Sequence, residues 1–485
     1  MNYKILHNKI FIYSFFTILA FIARYYLFEG RDSWHDEWHS IYVADPHITN
    51  KETLLRYYGD KGDVFLTEYY PPLYLFILKY FFLIFGYTDD NGRWLSLIFG
   101  TAGIPLAMYL TEIISNIKKT YLVGFLITFN LFLTWQSIEI RAHSLFIAFS
   151  LINIILFYKL IDQKKLFHYL IYIISSVFLL SLWPITGAIF FGKVIYLIKK
   201  YFIEKKIEIK IFLIFGLILF SYIIFNFDYL IFNISRDSHY THLYESFFYN
   251  YHFRSFFGSK ILGAIFLVIF FLMIVINAKK IIFFNDKENI IIYIIISSYF
   301  LTLTYTLLKA SIMSPKYVLF ILPLIIIWIG TEIDSIKKNL FQKKIFEQAI
   351  IIITLVFFFI EINNSPMSRP PTKMLLGKIE KQKIKYIITA EPQYYNNYLR
   401  TKKTIINNDI VVLNKGDDIP ATVNRFWFVC LNKPLFAAGN EGLLANKPQA
   451  EKKCIDFIPN NKGFVEKLPI TINIQDYLIR KFERN

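Results

Sequence analysis

Long apolar blocks separated by short polar segments dominate the chain. Nine blocks are almost free of charged residues, and they cover 10–28, 121–135, 144–161, 166–183, 211–231, 261–277, 289–308, 317–333 and 346–360. An α-helix of about 20 residues crosses the roughly 30 Å hydrocarbon core of a bilayer. One such block can be a signal peptide, but nine cannot. The pattern therefore predicts a polytopic α-helical membrane protein.

Composition agrees with this prediction, and the distribution of charge argues against a nucleic-acid-binding function. The 485 residues are 55% hydrophobic and 18% charged, whereas soluble proteins average about 25% charged. A net charge of +17 can indicate a nucleic-acid partner. Here, however, the lysines fall in short clusters between apolar blocks, as in cytoplasmic loops of membrane proteins. We therefore predict no nucleic-acid partner.

The lysine clusters also predict an orientation. Lys4 and Lys9 precede the first block, which places the N-terminus in the cytoplasm. Later clusters are Lys118-Lys119, Lys164-Lys165, Lys199-Lys200 with Lys205-Lys206, Lys279-Lys280, and Lys337-Lys338 with Lys343-Lys344. Consecutive clusters from Lys118 onward enclose two apolar segments each, so all of them can lie on one side. About eleven transmembrane helices result, with the C-terminus outside the cytoplasm.

The segment between residues 29 and 117 is ambiguous, because only one of its two apolar stretches, 71–86 and 93–113, can cross if Lys118 is cytoplasmic. Stretch 71–86 is short and opens with Pro71-Pro72. We place it as an interfacial or re-entrant helix on the outer side, beside a large first periplasmic loop. A full span is the alternative, and it would put two lysine clusters on the wrong side.

The chain divides into a predicted membrane domain, 1–362, and a predicted C-terminal periplasmic domain, 363–485. Strand-like runs at 386–389, 410–413 and 426–429 alternate with helix-compatible stretches, which indicates a small α/β module. Both cysteines, Cys430 and Cys454, lie in this domain. Outside the cytoplasm they can form a disulfide worth roughly 3 kcal/mol, or remain two buried thiols. The sequence leaves both interpretations open.

This topology places four groups of ionisable residues on the outer side. They are Asp32, His35, Asp36, Glu37, His39, Asp60, Asp63 and Glu68 in the first loop; Glu139 and Arg141 beside Gln136; Arg236, Asp237, His239, His242, Glu245, His252 and Arg254 in the aromatic loop 232–258; and Lys309 with Lys316. Such residues cost about 2.5–3.5 kcal/mol inside a membrane unless they are partnered, so they are functional candidates. We expect one membrane-edge cavity with acidic groups for proton transfer and basic groups for phosphate.

Simpler structural interpretations compete with these assignments. Asp36-Glu37 can belong to a solvated loop or a helix N-cap, and Glu139 and Arg141 can pair with each other or extend to lipid headgroups. His35 and His39 have a spacing that zinc can use, but no third ligand is evident. We therefore assign no metal ligands; a divalent metal is possible, but the sequence gives it no support. The membrane part has no glycine-rich loop of the kind that binds nucleotide phosphates. If the protein is an enzyme that faces outward, this favours a donor substrate linked to a lipid over one linked to a nucleotide.

Several motifs in a consistent order resemble the glycosyltransferases of the protein O-mannosyltransferase and aminoarabinose-transferase superfamily, which have the C-type fold. These motifs are Asp36-Glu37, Pro71-Pro72-Leu73-Tyr74, the helix from Arg93 to Leu110, the segment from Gln136 to Leu145 (similar to Gln-Glu-Ala-Arg-Met-Tyr-Ser-Leu), and Ser314-Pro315-Lys316-Tyr317 (similar to a late Pro-Arg-Tyr). The resemblance covers most of the chain, and its specific motifs lie chiefly in the first 150 residues.

The resemblance implies an inverting hexosyl- or pentosyltransferase of the bacterial inner membrane. It would move a sugar from a polyprenyl phosphate to a hydroxyl of a glycan, lipid or protein on the periplasmic side. By the same resemblance Asp36 is the general base, and Glu37 orients either Asp36 or the acceptor. The remaining residues are assigned as donor-phosphate ligands (Arg141, Lys316 and, more weakly, Arg254) and as supporting residues (Glu139, Tyr317, Pro71 and Pro72).

The chain departs from the family pattern at three places. Tyr70 precedes the Pro-Pro pair, where His or Lys is usual, and Lys316 replaces an arginine and so lacks its bidentate fork. The second acidic residue of the aminoarabinose type, expected near Ser144, is missing, which weakens lipid A as the acceptor.

Two other functions remain as alternatives, a flippase for lipid-linked saccharides and a ligase that moves a whole glycan. A flippase needs polar residues along a path through the bilayer. Lys193 is the main charge within a span, and we expect it to snorkel toward the cytoplasm.

Overall fold

The computed structural model describes residues 9–28, 32–33, 35–58, 70–163, 165–205, 209–234, 252–283, 287–308, 312–333, 340–363, 375, 379, 381, 385–389, 411–414, 418–431, 463–467 and 477–484. The chain forms two compact units. The first comprises Met1–Glu29, Leu54–Ile77 and Arg93–Asn364, and the second comprises Gly30–Thr53, Leu78–Gly92 and Ser365–Asn485. The division of the chain into a membrane domain, 1–362, and a periplasmic domain, 363–485, stays a prediction.

Helices make up most of the described chain. In order they are α1 (Lys9–Phe28), α2 (His35–Val43), α3 (Asn50–Tyr58), α4 (Leu73–Phe85), α5 (Asp89–Ile114), α6 (Lys119–Thr128), α7 (Leu131–Gln136), α8 (His143–Gln163), α9 (Leu166–Leu182), a 3₁₀ turn (Pro184–Thr186), α10 (Gly187–Glu204), α11 (Ile209–Phe225), α12 (Phe227–Ile234), α13 (Arg254–Phe257), α14 (Lys260–Phe283), α15 (Asn289–Leu308), α16 (Ile321–Glu332) and α17 (Leu340–Asn363).

Among the described residues, six helices are long and apolar enough to cross a membrane: α1, α5, α8, α14, α15 and the 345–362 part of α17. The pair α11 and α12, which meet at an angle of 77°, makes a seventh if it forms one broken span. Shorter apolar helices are α4, α6, α9 and α16. The polytopic α-helical class is therefore confirmed. The number of about eleven spans and the orientation of the termini stay predictions.

The ambiguous stretch 71–86 forms α4, which has 13 residues. At 1.5 Å per residue this helix is about 20 Å long, shorter than the roughly 30 Å of a hydrocarbon core. Pro72 directly precedes it, and the Phe76 N–H donates to the Pro72 carbonyl at 3.1 Å. Proline suits a helix start because its missing N–H would have no helical partner there. The interfacial placement of α4 stays a prediction.

Close contacts between helices in the first unit depend on glycine. A Cβ at Gly192 of α10 would lie 2.5 Å from the Cα of Ile294 in α15. A Cβ at Gly100 of α5 would lie 2.3 Å from Ser137 Oγ, just after α7. That hydroxyl also accepts a hydrogen bond from Arg24 Nε of α1 at 3.2 Å. Small residues let backbones approach in this way, and here they hold the turn after α7 between α1 and α5.

Lys193 in α10 is fully buried rather than extended toward an interface. Its Nζ lies 4.9–5.0 Å from the ring centroids of Phe157, Tyr172 and Phe190, and it donates to the side-chain oxygen of Asn153. The expectation that Lys193 snorkels is therefore wrong. An aromatic box with a polar partner at the same depth removes the need for the amine to reach water.

The second unit contains the C-terminal sheet. Its strands are β1 (Tyr386–Thr389), β2 (Val411–Asn414), β3 (Arg425–Leu431), β4 (Phe464–Lys467) and β5 (Tyr477–Arg484), in the order β2-β1-β3-β5-β4. Strand β1 pairs in parallel with β2 and β3, whereas β5 runs antiparallel to β3 and β4. The three predicted strand runs coincide with β1, β2 and β3, so the small C-terminal sheet is confirmed.

The structure decides between the two interpretations of the cysteines. Cys430 on β3 is disulfide-bonded, and the chain's second cysteine, Cys454, lies outside the described residues. Cys430 packs in a cluster with Ile388, Phe428 and Phe482. A covalent link from this central strand ties the chain directly to the core of the sheet.

Replacing Gly100 with alanine tests the contact between α5 and the turn after α7. Gly100→Ala is expected to lower the free energy of unfolding by about 1–3 kcal/mol because the new Cβ overlaps Ser137. Gly103→Ala is the matched control, since a Cβ there meets nothing within 4 Å. Thermal unfolding in detergent compares the two variants, and equal midpoints would contradict the packing described.

Removing the Cys430 sulfur tests the disulfide. Cys430→Ser is expected to lower the stability of the C-terminal sheet by about 3 kcal/mol, since the unfolded chain loses a cross-link. Thermal unfolding of the full chain, with and without a reductant, measures this: reductant should destabilise the wild type and leave the variant unchanged. Alkylation of Cys430 in the folded, unreduced wild type would refute the assignment.

Candidate functional site

The acidic pair Asp36-Glu37 lies in the first turn of α2, where the helix dipole favours negative charge. Glu37 is fully buried, whereas Asp36 is partly exposed. The Asp36 carbonyl accepts a hydrogen bond from Ser40 Oγ at 3.1 Å within the same helix. The pair is therefore not part of an irregular solvated loop. Its two carboxylates differ in access, because a substrate can approach Asp36 more readily than Glu37.

Contacts within the second unit hold α2 in place. The Trp38 indole is fully buried and donates to the Ser33 carbonyl at 3.0 Å, and Ser33 Oγ lies 3.4 Å from an Asp89 carboxylate oxygen at the start of α5. Tyr87, between α4 and α5, donates to the Ile41 carbonyl at 3.1 Å. The acidic pair thus sits on a helix anchored to the segment that follows α4.

The Gln136 to Leu145 motif forms an interruption between α7 and α8 in the first unit. Glu139 and Arg141 are both buried there, and the Arg141 N–H donates to the Glu139 carbonyl at 2.8 Å. The Arg141 guanidinium carbon lies 5.6 Å from the centroid of the Tyr70 ring. The Glu139 carboxylate lies 4.0 Å from Nδ1 of His143. Arg141 therefore does not extend to lipid headgroups, and its charge rests on an aromatic face.

Trp183, between α9 and the 3₁₀ turn, connects this interruption to a second one. Its ring centroid lies 5.0 Å from that of Tyr70, 4.7 Å from Phe146 and 5.7 Å from Tyr317. Its Nε1–H donates to the Tyr317 carbonyl at 2.7 Å. His143 completes the ring contacts at 5.8 Å. Trp183 is buried, so these neighbours enclose it.

The late motif supplies the second cation. Lys316 lies in the turn before α16, and its Nζ is 5.4 Å from the centroid of the Tyr317 ring. We define the aromatic–cation cluster as Tyr70, Arg141, Trp183, Lys316 and Tyr317. Two cations held on aromatic faces can bind an anion such as a phosphate, Arg141 through a fork and Lys316 as a point charge.

The structure thus brings several predicted site residues into one unit. Arg141, Lys316 and Tyr317 belong to the cluster, Glu139 adjoins it, and Pro71 and Pro72 follow Tyr70 in the chain. Trp183 was not among the residues predicted from the sequence. Its signal was an aromatic residue at the end of an apolar block, directly before the helix-breaking Pro184.

Other predicted residues lie on other elements or outside the described residues. Arg254 is exposed on the one-turn helix α13, and His252 is buried with its Nε2 2.8 Å from the Tyr299 hydroxyl. His39 is buried in α2. The His35 side chain and Asp60, Asp63, Glu68, Arg236, Asp237, His239, His242, Glu245 and Lys309 lie outside the described residues.

An apolar cavity of about 780 Å³ lies in the first unit near the Pro-Pro pair. Pro72, Phe76 and Phe178 contribute to its lining, and Asn226 and Asp228 at the bend between α11 and α12 add polar groups. Asn226 Nδ2 donates to Ser181 Oγ at 2.8 Å. The cavity can accommodate part of a hydrocarbon chain.

No group of three or more His, Cys, Asp or Glu side chains in the described part of the chain is arranged to hold a metal ion.

Comparison with known proteins rests on structure alone, since no family model and no curated protein matches the sequence. The fold is similar to the crystal structure of ArnT from Cupriavidus metallidurans bound to undecaprenyl phosphate, with a TM-score of 0.54 and 9% identity over 96% of this chain and 97% of that chain. It is also similar to ArnT from the same organism in the apo state, with a TM-score of 0.53 and 10% identity over 90% and 94% of the two chains. The chain therefore shares the fold of these two structures, which confirms the fold that the motif resemblance implied.

Substitution of Tyr70 tests the aromatic–cation cluster. Tyr70→Leu removes the ring under Arg141 and beside Trp183, and should lower stability by about 1–3 kcal/mol through lost cation–π and ring contacts. Tyr70→Phe keeps the ring and should unfold close to the wild-type temperature. Thermal unfolding in detergent distinguishes them, and equal losses in both variants would argue against the ring contacts as the source of stability.

Proposed function

We propose that this protein is an inverting glycosyltransferase that moves a sugar from a polyprenyl-phosphate carrier to an acceptor hydroxyl on the periplasmic side of the bacterial inner membrane. One observation carries the proposal. Arg141 and Lys316, which the motifs assign to phosphate, lie on aromatic rings joined through Trp183, in a fold similar over almost its full length to an ArnT bound to undecaprenyl phosphate.

The two cations suit the charge change of this reaction. The phosphate of a polyprenyl phosphosugar is a diester with one negative charge. Once the sugar is transferred, the carrier leaves as polyprenyl phosphate, a monoester with nearly two negative charges. Arg141 and Lys316 would stabilise the charge that develops on the phosphate as the bond breaks. Because their aromatic neighbours are already packed in place, little reorganisation is needed at that moment. The apolar cavity near Pro72 offers space for part of the donor's hydrocarbon chain.

Asp36 is proposed as the general base. Its carboxylate takes the proton of the acceptor hydroxyl, whose oxygen forms a bond to the anomeric carbon on the face opposite the phosphate. The bond from that carbon to the phosphate oxygen breaks, and its electron pair leaves with the phosphate, so the configuration is inverted. Glu37 is buried and next to Asp36 on α2, which suits a residue that orients the base.

The proposal covers transfer of a hexose or a pentose to a glycan, a lipid or a protein. A glycan ligase would use the same phosphate chemistry and differ in the size of the group transferred. A flippase is less well supported, because Lys193 is enclosed by three rings and Asn153 rather than exposed to a path.

The test is sugar transfer by the purified protein in detergent from radiolabelled polyprenyl-phosphate sugars, with a crude envelope extract as acceptor. Asp36→Asn should lower kcat by about 10²–10⁴-fold, the usual contribution of a general base, while the protein folds normally. Asp90→Asn is the matched control, since Asp90 is an exposed carboxylate in the first turn of α5. It should retain wild-type turnover.

Full activity of a well-folded Asp36→Asn variant would refute the base assignment. Absence of transfer by the wild type with every hexose and pentose donor would refute the proposed function. Transfer of a preassembled glycan in place of a single sugar would identify the ligase.

A further inference from the structure

Two helix interruptions carry the cations of the aromatic–cation cluster. Arg141 lies in the interruption between α7 and α8, and Lys316 lies in the turn before α16, 175 positions later in the chain. Neither cation can hold a phosphate effectively unless the distance and angle between these two segments are constant. A residue that contacts both segments is therefore needed.

We infer that Trp183 is a positioning residue that fixes the distance and angle between Arg141 and Lys316 so that both can bind the donor phosphate. This inference rests on the proposed function. On one side its ring packs at 5.0 Å against Tyr70, whose face carries Arg141. On the other side its Nε1–H donates at 2.7 Å to the carbonyl of Tyr317, whose ring carries Lys316.

Trp183 is itself rigidly held. Its main-chain N–H donates to the Leu179 carbonyl at 2.9 Å, at the end of α9. Its carbonyl accepts from the N–H of Thr186 at 3.0 Å and from Thr186 Oγ1 at 2.6 Å. Pro184 follows and cannot continue the helix, so the chain turns at this point.

The side chain has as little freedom as the backbone. Phe146 of α8 is stacked on the indole at 4.7 Å with an interplanar angle of 21°, and His143 packs edge-on at 5.8 Å. Because only 2% of its surface is exposed, we assign Trp183 as a positioning residue and not as a catalytic residue. It acts through the rings that carry the two cations.

A positioning role has a kinetic signature that general destabilisation lacks. Negative charge on the phosphate increases in the transition state, so misplaced cations weaken binding of the transition state more than binding of the donor. Trp183→Phe retains a ring but loses the Nε1–H donor to Tyr317. We expect kcat to fall by about 10- to 100-fold, the effect of a misplacement near 1 Å, with a smaller change in the KM for the donor.

Trp328→Phe is the matched control. Trp328 lies in α16 of the same unit, is buried and packs on Phe270 at 5.5 Å, away from the cluster. The same change of side chain there should leave kcat and KM close to wild type. Both proteins are compared in the transfer assay after their helix content and elution as single species have been matched.

Phe146→Leu provides a second variant if Trp183→Phe does not fold. It removes the ring stacked on Trp183 and leaves the hydrogen bond to Tyr317 intact. It should lower kcat in the same direction by a smaller factor, again with little change in KM.

The outcomes separate this inference from the proposed function. A kcat loss in the cluster variants beyond that of Trp328→Phe supports the positioning role. Kinetics of the cluster variants equal to those of Trp328→Phe, in a wild type that transfers sugar, would overturn the positioning role alone. A wild type that transfers no sugar from any polyprenyl phosphate would overturn the proposed function and this inference with it.

Discussion

One requirement shapes the candidate site. Where a membrane helix is interrupted, its backbone N–H and C=O groups must find hydrogen-bond partners inside the protein. A bilayer interior offers no hydrogen bonds, so interruptions of membrane helices are tolerated only where protein satisfies them. In the first unit Ser144 Oγ donates to the Gln136 carbonyl at 3.1 Å, and Trp183 donates to the Tyr317 carbonyl at 2.7 Å. Arg141 and Lys316, two of the residues assigned to phosphate binding, occur at these interruptions, where side chains are directed by irregular backbone rather than by helical periodicity.

Aromatic ring faces lie against several cations of the first unit. Arg141 rests on Tyr70, Lys316 on Tyr317, and Lys193 among Phe157, Tyr172 and Phe190 in a separate network. A ring face stabilises a cation without neutralising it. The ring faces thus help to stabilise the two positive charges that the proposed function assigns to the phosphate.

Two departures from the motif pattern that the sequence resembles have physical consequences in this arrangement. Tyr70, where His or Lys is usual, gives up one positive charge but supplies the surface that carries Arg141 and packs on Trp183. Lys316, in place of an arginine, offers a point charge beside Tyr317. We infer that the geometry of this cluster depends more on ring packing and less on the number of cations.

The sequence alone determined the apolar helices, the strands β1 to β3 and the motifs that mark Asp36, Arg141 and Lys316, because each depends on composition or spacing over a few neighbouring positions. Only the tertiary structure decided that Lys193 is enclosed, that Cys430 is disulfide-bonded and that Trp183 joins Tyr70 to Tyr317. Those contacts link residues that are in most cases far apart in the chain, and no local pattern encodes which side chains will meet when helices pack.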